Sequence, residues 1–455
     1  MKTKVLWACR ECGHSQLKWS GSCPGCQNWN TLIEETSLEE AKPRFESKKR
    51  QSARPLRIRE IDPKECKRLC TRMGELDRLF GGGMVEGSLI LVGGEPGVGK
   101  STLMLQIADS LAKTGLTILY VCGEESAEQT SLRALRLGID HANLFLLSET
   151  HFSAILEQIE HLKPHAIIVD SVQIVYKSEI PSSPGSVVQV REIATEFMHL
   201  AKGRGITTFL VGHVTKSGEL AGPRVLEHLV DTVFEFEGDR QHGFRMLRAL
   251  KNRFGPTDEI AIFQMKESGL AEVPNPSQVF LQERMKEMPG SAIVPGLEGA
   301  RSFLLEIQAL VTKTAFSTPS RRSTGLDQNR LGLLLAVLEK RVGYPLYHCD
   351  VFVALAGGLK IVEPAIDLGI AMAISSSFMN RAIPSDTIVL GEIGLGGEVR
   401  GVSRVETRLK EAVHMGFHRC IIPKRNCKGI SGALSEKIRL VQVEMVDDAI
   451  RELFP

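Results

Sequence analysis

Residues 91–102 read LVGGEPGVGKST, an apolar run that breaks into glycines and ends on a lysine and two hydroxyls. Gly94, Gly97 and Gly99 let the backbone curl until consecutive N–H groups point inward, and a helix starting near Lys100 adds its positive N-terminal end, so an anion fits there. The spacing Gly94-x4-Gly99-Lys100-Ser101 is that of a P-loop, in which Lys100 reaches the β- and γ-phosphates and the Ser101 hydroxyl holds Mg²⁺. The residues expected to line the phosphates are Gly94, Glu95, Pro96, Gly97, Val98, Gly99, Lys100, Ser101 and Thr102. The flanks agree. SLILVGG before the loop predicts a buried strand and STLMLQIADSLAKTG after it an amphipathic helix, the strand-loop-helix setting that the motif needs.

Working outward, RMGELDRLFGGGMVEGS opens a folded unit that runs to about Leu270. Its apolar stretches TILYVCG, AIIVDSV, TTFLVGH and DTVFEF alternate with helical patterns, which predicts a parallel sheet covered on both faces. The prolines of AEVPNPSQVF suggest a linker. A further α/β unit follows, with helices in RLGLLLAVLEKRV, AIDLGIAMAISSSF and RVETRLKEAVHMG, strands in DVFVALAG and RCIIPK, and a glycine-rich hairpin around GEIGLGGEVRG. The predicted order is 1–38, a metal module; 39–60, a linker; 61–270, a nucleotide-binding unit; 271–286, a second linker; and 287–455, a last α/β domain.

At the start of the chain, CRECGHSQLKWSGSCPGC carries Cys9-x2-Cys12 and Cys23-x2-Cys26 with ten residues between the two knuckles. That spacing lets two short turns present four thiolates to one Zn²⁺. Two redox dithiols are the alternative, but such a motif normally begins a helix in a larger fold, and about 30 residues here have no other way to bury a core. His14 is read as solvated, and Cys66, Cys70, Cys122, Cys349, Cys420 and Cys427 as structural or incidental. Between Lys42 and Arg59 eight Lys or Arg residues face a single acid, Glu46, which predicts a solvated tether or a contact to a phosphate backbone.

The 455 residues, 43% hydrophobic, suffice for two or three domains with ample cores. A net charge of +2 announces no nucleic-acid binder by itself. No apolar stretch approaches the roughly 18 residues of a membrane span, and the first ten residues lack a signal-peptide core, so the cytoplasm is the expected compartment and no membrane partner is expected.

Hydrolysis of a nucleoside triphosphate needs a metal holder, a group that activates water and late positive charge on the leaving phosphate. Asp170, at the end of the apolar run AIIVD, sits where a Walker B carboxylate would hold Mg²⁺. Glu124 and Glu125 follow another strand, and either can polarise water or remain a surface acid. His213 ends a further strand and is a candidate γ-phosphate sensor.

The P-loop, GEES, VDSVQ, GHVTKSG and above all KNRFG at Lys251 to Gly255 together resemble the RadA (Sms) family of bacterial recombination and repair proteins, over essentially the whole chain. The resemblance implies a zinc ribbon, a RecA-like ATPase and a C-terminal Lon-protease-like domain of ribosomal S5 type. It implies that Glu124 is the water activator and Asp170 the Walker B acid. Lys251 and Arg253 would then project toward ATP or DNA at the site of a neighbouring subunit in a hexameric ring. The expected partners are single-stranded DNA, branched recombination intermediates and a RecA-type recombinase, and the expected activity is a DNA-dependent ATPase that drives branch migration under DNA damage and stress. A nucleotide-gated platform that binds DNA or recombinase without moving is the competing reading, and an ATP-dependent protease is another. Aligned with Lon, the nucleophile helix places Asp367 at the serine and the lysine helix places Glu406 at the lysine, which removes the Ser-Lys chemistry. That leaves a scaffold expected to present Arg400, Arg404 and Arg408 to DNA.

Overall fold

A computed structural model describes residues 4–9, 14–16, 18–37, 57, 67–213, 226–238, 243–316, 318–356 and 361–455. The chain divides into two units, one up to Glu65 and one from Cys66 onward.

In the first unit β1 (Lys4–Cys9) pairs antiparallel with β2 (Ser15–Gln16) and β3 (Leu32–Ser37), in the order β2-β1-β3. Its buried cluster is Cys9, Cys23 and Leu32, with Trp7 and Cys26 packed against them. Among the described residues this core is small, and a fold with so small a core calls for a staple. The tether expected at 39–60 lies, apart from Arg57, outside the described residues.

The second unit opens on a short ladder of β4 (Arg68–Leu69) with β5 (Met84–Val85). Next come β6 (Leu89–Gly94), β7 (Ile118–Cys122), β8 (Leu144–Leu147), β9 (Ala166–Asp170), β10 (Thr207–His213), β11 (Thr232–Gly238), β12 (Phe244–Asn252), β13 (Ile260–Lys266) and β14 (Gly269–Glu272). They form one nine-stranded sheet in the order β14-β13-β12-β11-β6-β10-β9-β7-β8. From β11 to β8 every pairing is parallel, as the continuous apolar strands predict. Alternate residues of each strand face opposite sides. Ile90 and Val92 pack toward the helix Lys100–Ala112, while Leu89 and Leu91 pack toward the helices Phe152–Leu162 and Val187–Arg204.

The sheet departs from the all-parallel expectation at one edge, where β12, β13 and β14 add antiparallel strands. Hairpins make this possible, since antiparallel neighbours need no crossover helix.

The last domain contains β15 (Ser291–Glu298), β16 (Arg301–Lys313), β17 (Arg321–Thr324), β18 (Cys349–Leu355), β19 (Thr387–Val389), the ladder β20 (Glu392–Ile393) with β21 (Val399–Arg400), then β22 (Arg419–Pro423) and β23 (Arg439–Val443). Seven of them form a sheet in the order β17-β18-β16-β15-β19-β22-β23. The apolar helix Asp367–Met379 lies on β15 and β16, with Leu368 to Ile374 buried throughout.

The segment 271–286, expected to be a linker, instead contains the helix Pro276–Phe280, capped by the Asn275 side chain. Phe280 packs between the rings of Phe244 and Phe303, so it is a seam between the two sheets. One apolar cluster runs through that seam, from Met246, Ile260 and Ile262 to Val294, Phe303 and Leu305. Truncation at 287 would therefore strip the cover from part of the first sheet.

Candidate nucleotide and metal sites

β6 ends on Gly94 and the helix Lys100–Ala112 begins six residues later, with Gly97 at φ 78° and Gly99 at φ 113° between them. A side chain at either position would strain the backbone. The Lys100 ammonium is buried and donates to the carbonyls of Gly94 (2.8 Å) and Glu95 (3.0 Å) across the loop. Burial lowers its pKa, and the charges of Asp170 and Glu124 act the other way. Those opposing influences place both carboxylates in the field of Lys100. Ser101 and Thr102, half-buried, sit in the first turn of the helix.

The parallel register brings the other elements to the same end of the sheet. β10 aligns His213 with Gly94, and β9 aligns Asp170 with Cys122 at the end of β7, just before Glu124. The His213 side chain lies outside the described residues. Asp170 accepts a hydrogen bond from the buried Tyr120 hydroxyl (2.7 Å). Burial and the adjacent Asp170 raise the Tyr120 pKa well above its ordinary value, so the phenol stays a donor. The two glutamates now separate. Glu125 is held by Arg133 in an ion pair of 2.5 Å, whereas Glu124 accepts from the hydroxyl of Ser171, the neighbour of Asp170. Glu124 therefore stands beside Asp170, the candidate metal ligand, and Glu125 is turned toward the helix Ala127–Arg136.

Sequence reasoning passed over Tyr120, Ser171 and Arg245. Arg245 is buried on β12 and its Nε donates to the Val98 carbonyl of the phosphate loop (2.9 Å). Arginines in the otherwise apolar FRMLRAL, Arg245 and Arg248, were the available signal.

Lys251 and Arg253 lie elsewhere. The Arg253 amide donates to the Asp231 carbonyl, and the Asp231 amide donates to that of Leu89, which puts Arg253 level with the start of β6. Gly94 is five residues further along the strand, about 17 Å at ~3.3 Å per residue. The chain's own phosphate loop is thus at the opposite end of the sheet. Lys251 donates to the carbonyls of Glu227 and Val230 (2.9 Å to the latter), and burial followed by the charge of Arg253 lowers its pKa. The Arg253 guanidinium is half-exposed, 3.5 Å from the buried Asp231 carboxylate.

In the first unit the Cys9 and Cys26 sulfurs are 3.6 Å apart, and those of Cys9, Cys23 and Cys26 all lie within 4.8 Å of one another. Four sulfurs at ~2.3 Å from a tetrahedral Zn²⁺ would be separated by about 3.8 Å, so the three fit such a shell. Cys12, expected to be the fourth, lies outside the described residues. Among the others, Cys122 and Cys420 are buried, with thiols that burial pushes up, as suits inert packing residues.

In the last domain Asp367 is buried at the start of its helix, gripped by Arg330 through both carboxylate oxygens and by the Ile393 amide. Glu406 accepts from the Ser431 amide at 2.8 Å. Each acid is engaged in its own local contact. The expectation that Arg400, Arg404 and Arg408 face DNA needs correction at Arg408. Arg408 is fully buried, paired with Glu363 and donating to the carbonyls of Pro295 and Ser403, so it braces the core. Arg404 pairs with Asp258, and Arg400 with Glu398 and Glu392.

Three family models match the chain: one described as AAA domain over residues 53–219, one as rubredoxin metal binding domain over 7–34, and one as subunit ChlI of Mg-chelatase over 334–426. The last falls in the domain that resembles Lon. The protein called DNA repair protein RadA in Chlamydia muridarum (strain MoPn / Nigg) is 50% identical over 452 residues, which cover 99% of both chains. The protein of the same name in Bacillus subtilis (strain 168) is 49% identical over 453 residues, covering 99% of this chain and 98% of its own. Identity at that level from the cysteine knuckles to the last helix, with the phosphate loop and its carboxylates in place, means that this chain belongs to the RadA family of DNA repair proteins.

Proposed function

We propose that the chain is a DNA-dependent ATPase of homologous recombination and repair, working in the cytoplasm as a hexameric ring that moves on single-stranded DNA and promotes branch migration. The observation that carries this reading is the meeting of Lys100, Asp170 and Glu124 at one end of the sheet, with Lys251 and Arg253 at the other. In this reading Gly94 to Thr102 wrap the phosphates and Lys100 exchanges its two carbonyl contacts for phosphate oxygens. Ser101 and Asp170 offer the hard oxygens that Mg²⁺ prefers, and the ion, when bound, neutralises phosphate charge. Glu124 takes a proton from the attacking water, and His213 senses the γ-phosphate. Lys251 and Arg253 serve the next subunit's ATP or the DNA. Single-stranded DNA is gripped by backbone charge, a RecA-type recombinase is the protein partner, and the domain at 287–455 is a scaffold without peptidase activity. The domain limits proposed for this work are 1–38, 61–270 and 287–455.

The test compares ATP turnover with and without single-stranded DNA, beside branch migration of a synthetic three-strand junction. DNA should raise turnover several-fold and migration should require hydrolysis, both being lost in Lys100→Ala. Stimulated turnover without any movement would favour the nucleotide-gated platform, and no stimulation would overturn DNA dependence.

We also propose that Cys9, Cys12, Cys23 and Cys26 hold one Zn²⁺. Four thiolates suit both zinc and iron. Metal analysis of the purified protein should return close to one zinc per chain, and Cys23→Ala should release it while nucleotide binding persists. Iron in its place, or full zinc retention in the variant, would sink the assignment.

A further inference from the structure

We propose that Arg245 is a positioning residue for the phosphate loop, anchoring the Val98 carbonyl so that the Gly99 amide points into the phosphate cradle. This rests on the nucleotide site proposed above.

The argument begins with the peptide between Val98 and Gly99. Among the described residues the cis peptide is Asp170–Ser171, so this one is trans, and in a planar trans peptide the C=O and the following N–H point in opposite directions. Whatever holds the Val98 oxygen on the sheet side therefore turns the Gly99 N–H toward the opposite side, where the phosphates would lie. The Arg245 Nε holds that oxygen at 2.9 Å, while its Nη1 donates to the Phe244 carbonyl at 2.7 Å and keeps the guanidinium in place.

The room for this side chain is built. Arg245 pairs across the ladder with Gly238, and a Cβ added there would come within 2.2 Å of the Arg245 Cδ and 3.0 Å of its Nε. On the same side, a Cβ at Gly99 would meet the Met265 Cε at 2.9 Å. The loop thus rests on a floor supplied by the antiparallel extension, with Arg245 as its charged member. A buried guanidinium at that point does two things a leucine would not: it fixes a peptide that must otherwise be ordered when ATP arrives, and it adds positive potential behind an anion site.

Two variants test this, with Lys100→Ala as reference. Arg245→Gln removes the charge and shortens the reach. Gly238→Ala leaves the arginine but pushes it aside. For each, the dissociation constant of a fluorescent ATP analogue is measured in the full chain, with amide hydrogen exchange of the peptide 91–102 and the melting temperature without nucleotide. Both variants should bind the analogue about tenfold more weakly, with faster exchange over the loop, and Arg245→Lys should recover part of the loss. Wild-type affinity and exchange in a folded Arg245→Gln overturn the anchor. Where that variant melts early, Gly238→Ala decides in the same way, since unchanged affinity and exchange there overturn it equally. If Lys100→Ala itself binds the analogue normally, the nucleotide site is what fails. If Lys100→Ala loses binding and both other variants keep it, only the anchor fails.

Discussion

Glu124→Gln should bind ATP with little change in affinity and hydrolyse it about 10²- to 10⁴-fold more slowly, the range expected when a positioned general base is lost. The two side chains have nearly the same shape, and the amide oxygen still accepts from the Ser171 hydroxyl that holds the carboxylate. What disappears is the capacity to take a proton. Lys100 and the loop are untouched, so binding and turnover separate, and such a split is the sign of an interaction made in the transition state alone. Glu125→Gln serves as the control. That carboxylate is tied to Arg133, and its loss should loosen the start of a surface helix and leave turnover within about twofold of the parent. Measurement of kcat beside the equilibrium binding of a fluorescent nucleotide checks both. Equal losses in the two variants would mean that the pair acts through local structure, and a Glu124→Gln enzyme with normal turnover would pass the base to another group.

The contrast between Glu124 and Glu125 also marks how far sequence carries. Adjacent acids after an apolar strand are indistinguishable until a partner appears, and here the partners are Ser171, 47 residues on from Glu124, and Arg133, in the helix that follows Glu125. The phosphate loop is legible because all of its chemistry is local: glycines, a lysine and a hydroxyl in one short run. Tyr120 and Arg245 were hidden because their partners lie 50 and 147 residues away in the chain. Arg408 misled for the same reason. An arginine in a charged helix reads as solvated, yet Glu363 and the carbonyls of Pro295 and Ser403 close over it only in the folded domain. The parallel core strands were readable from unbroken apolar runs. The β12–β14 extension was not, because charges interrupt it and strand direction has no signature in composition.

Arg253→Ala should lower DNA-coupled ATP turnover by about two orders of magnitude or more, on the scale of other cations supplied to a leaving phosphate, and the loss should be repaired by a neighbour. Arg253 stands level with Leu89 at the start of β6, one strand length from the chain's own Gly94, farther than its side chain spans. A residue so placed can serve ATP only across a subunit boundary. Mixing Arg253→Ala with Lys100→Ala subunits tests this directly. The first brings an intact phosphate loop and the second an intact arginine, so a boundary that joins them in the right order is complete. With equal amounts assorting at random in a closed ring, about a quarter of the boundaries are complete. The mixture should therefore recover up to about a quarter of parental turnover, while each variant alone stays near zero. Turnover across a titration of mixing ratios should follow the product of the two fractions, with its maximum at equal amounts. A mixture that never exceeds the weighted mean of its components would place Arg253 in its own subunit's chemistry or on DNA alone. Lys251→Ala, run in the same titration, assigns that residue independently: recovery puts it at the boundary, and its absence with weakened DNA binding puts it on the strand.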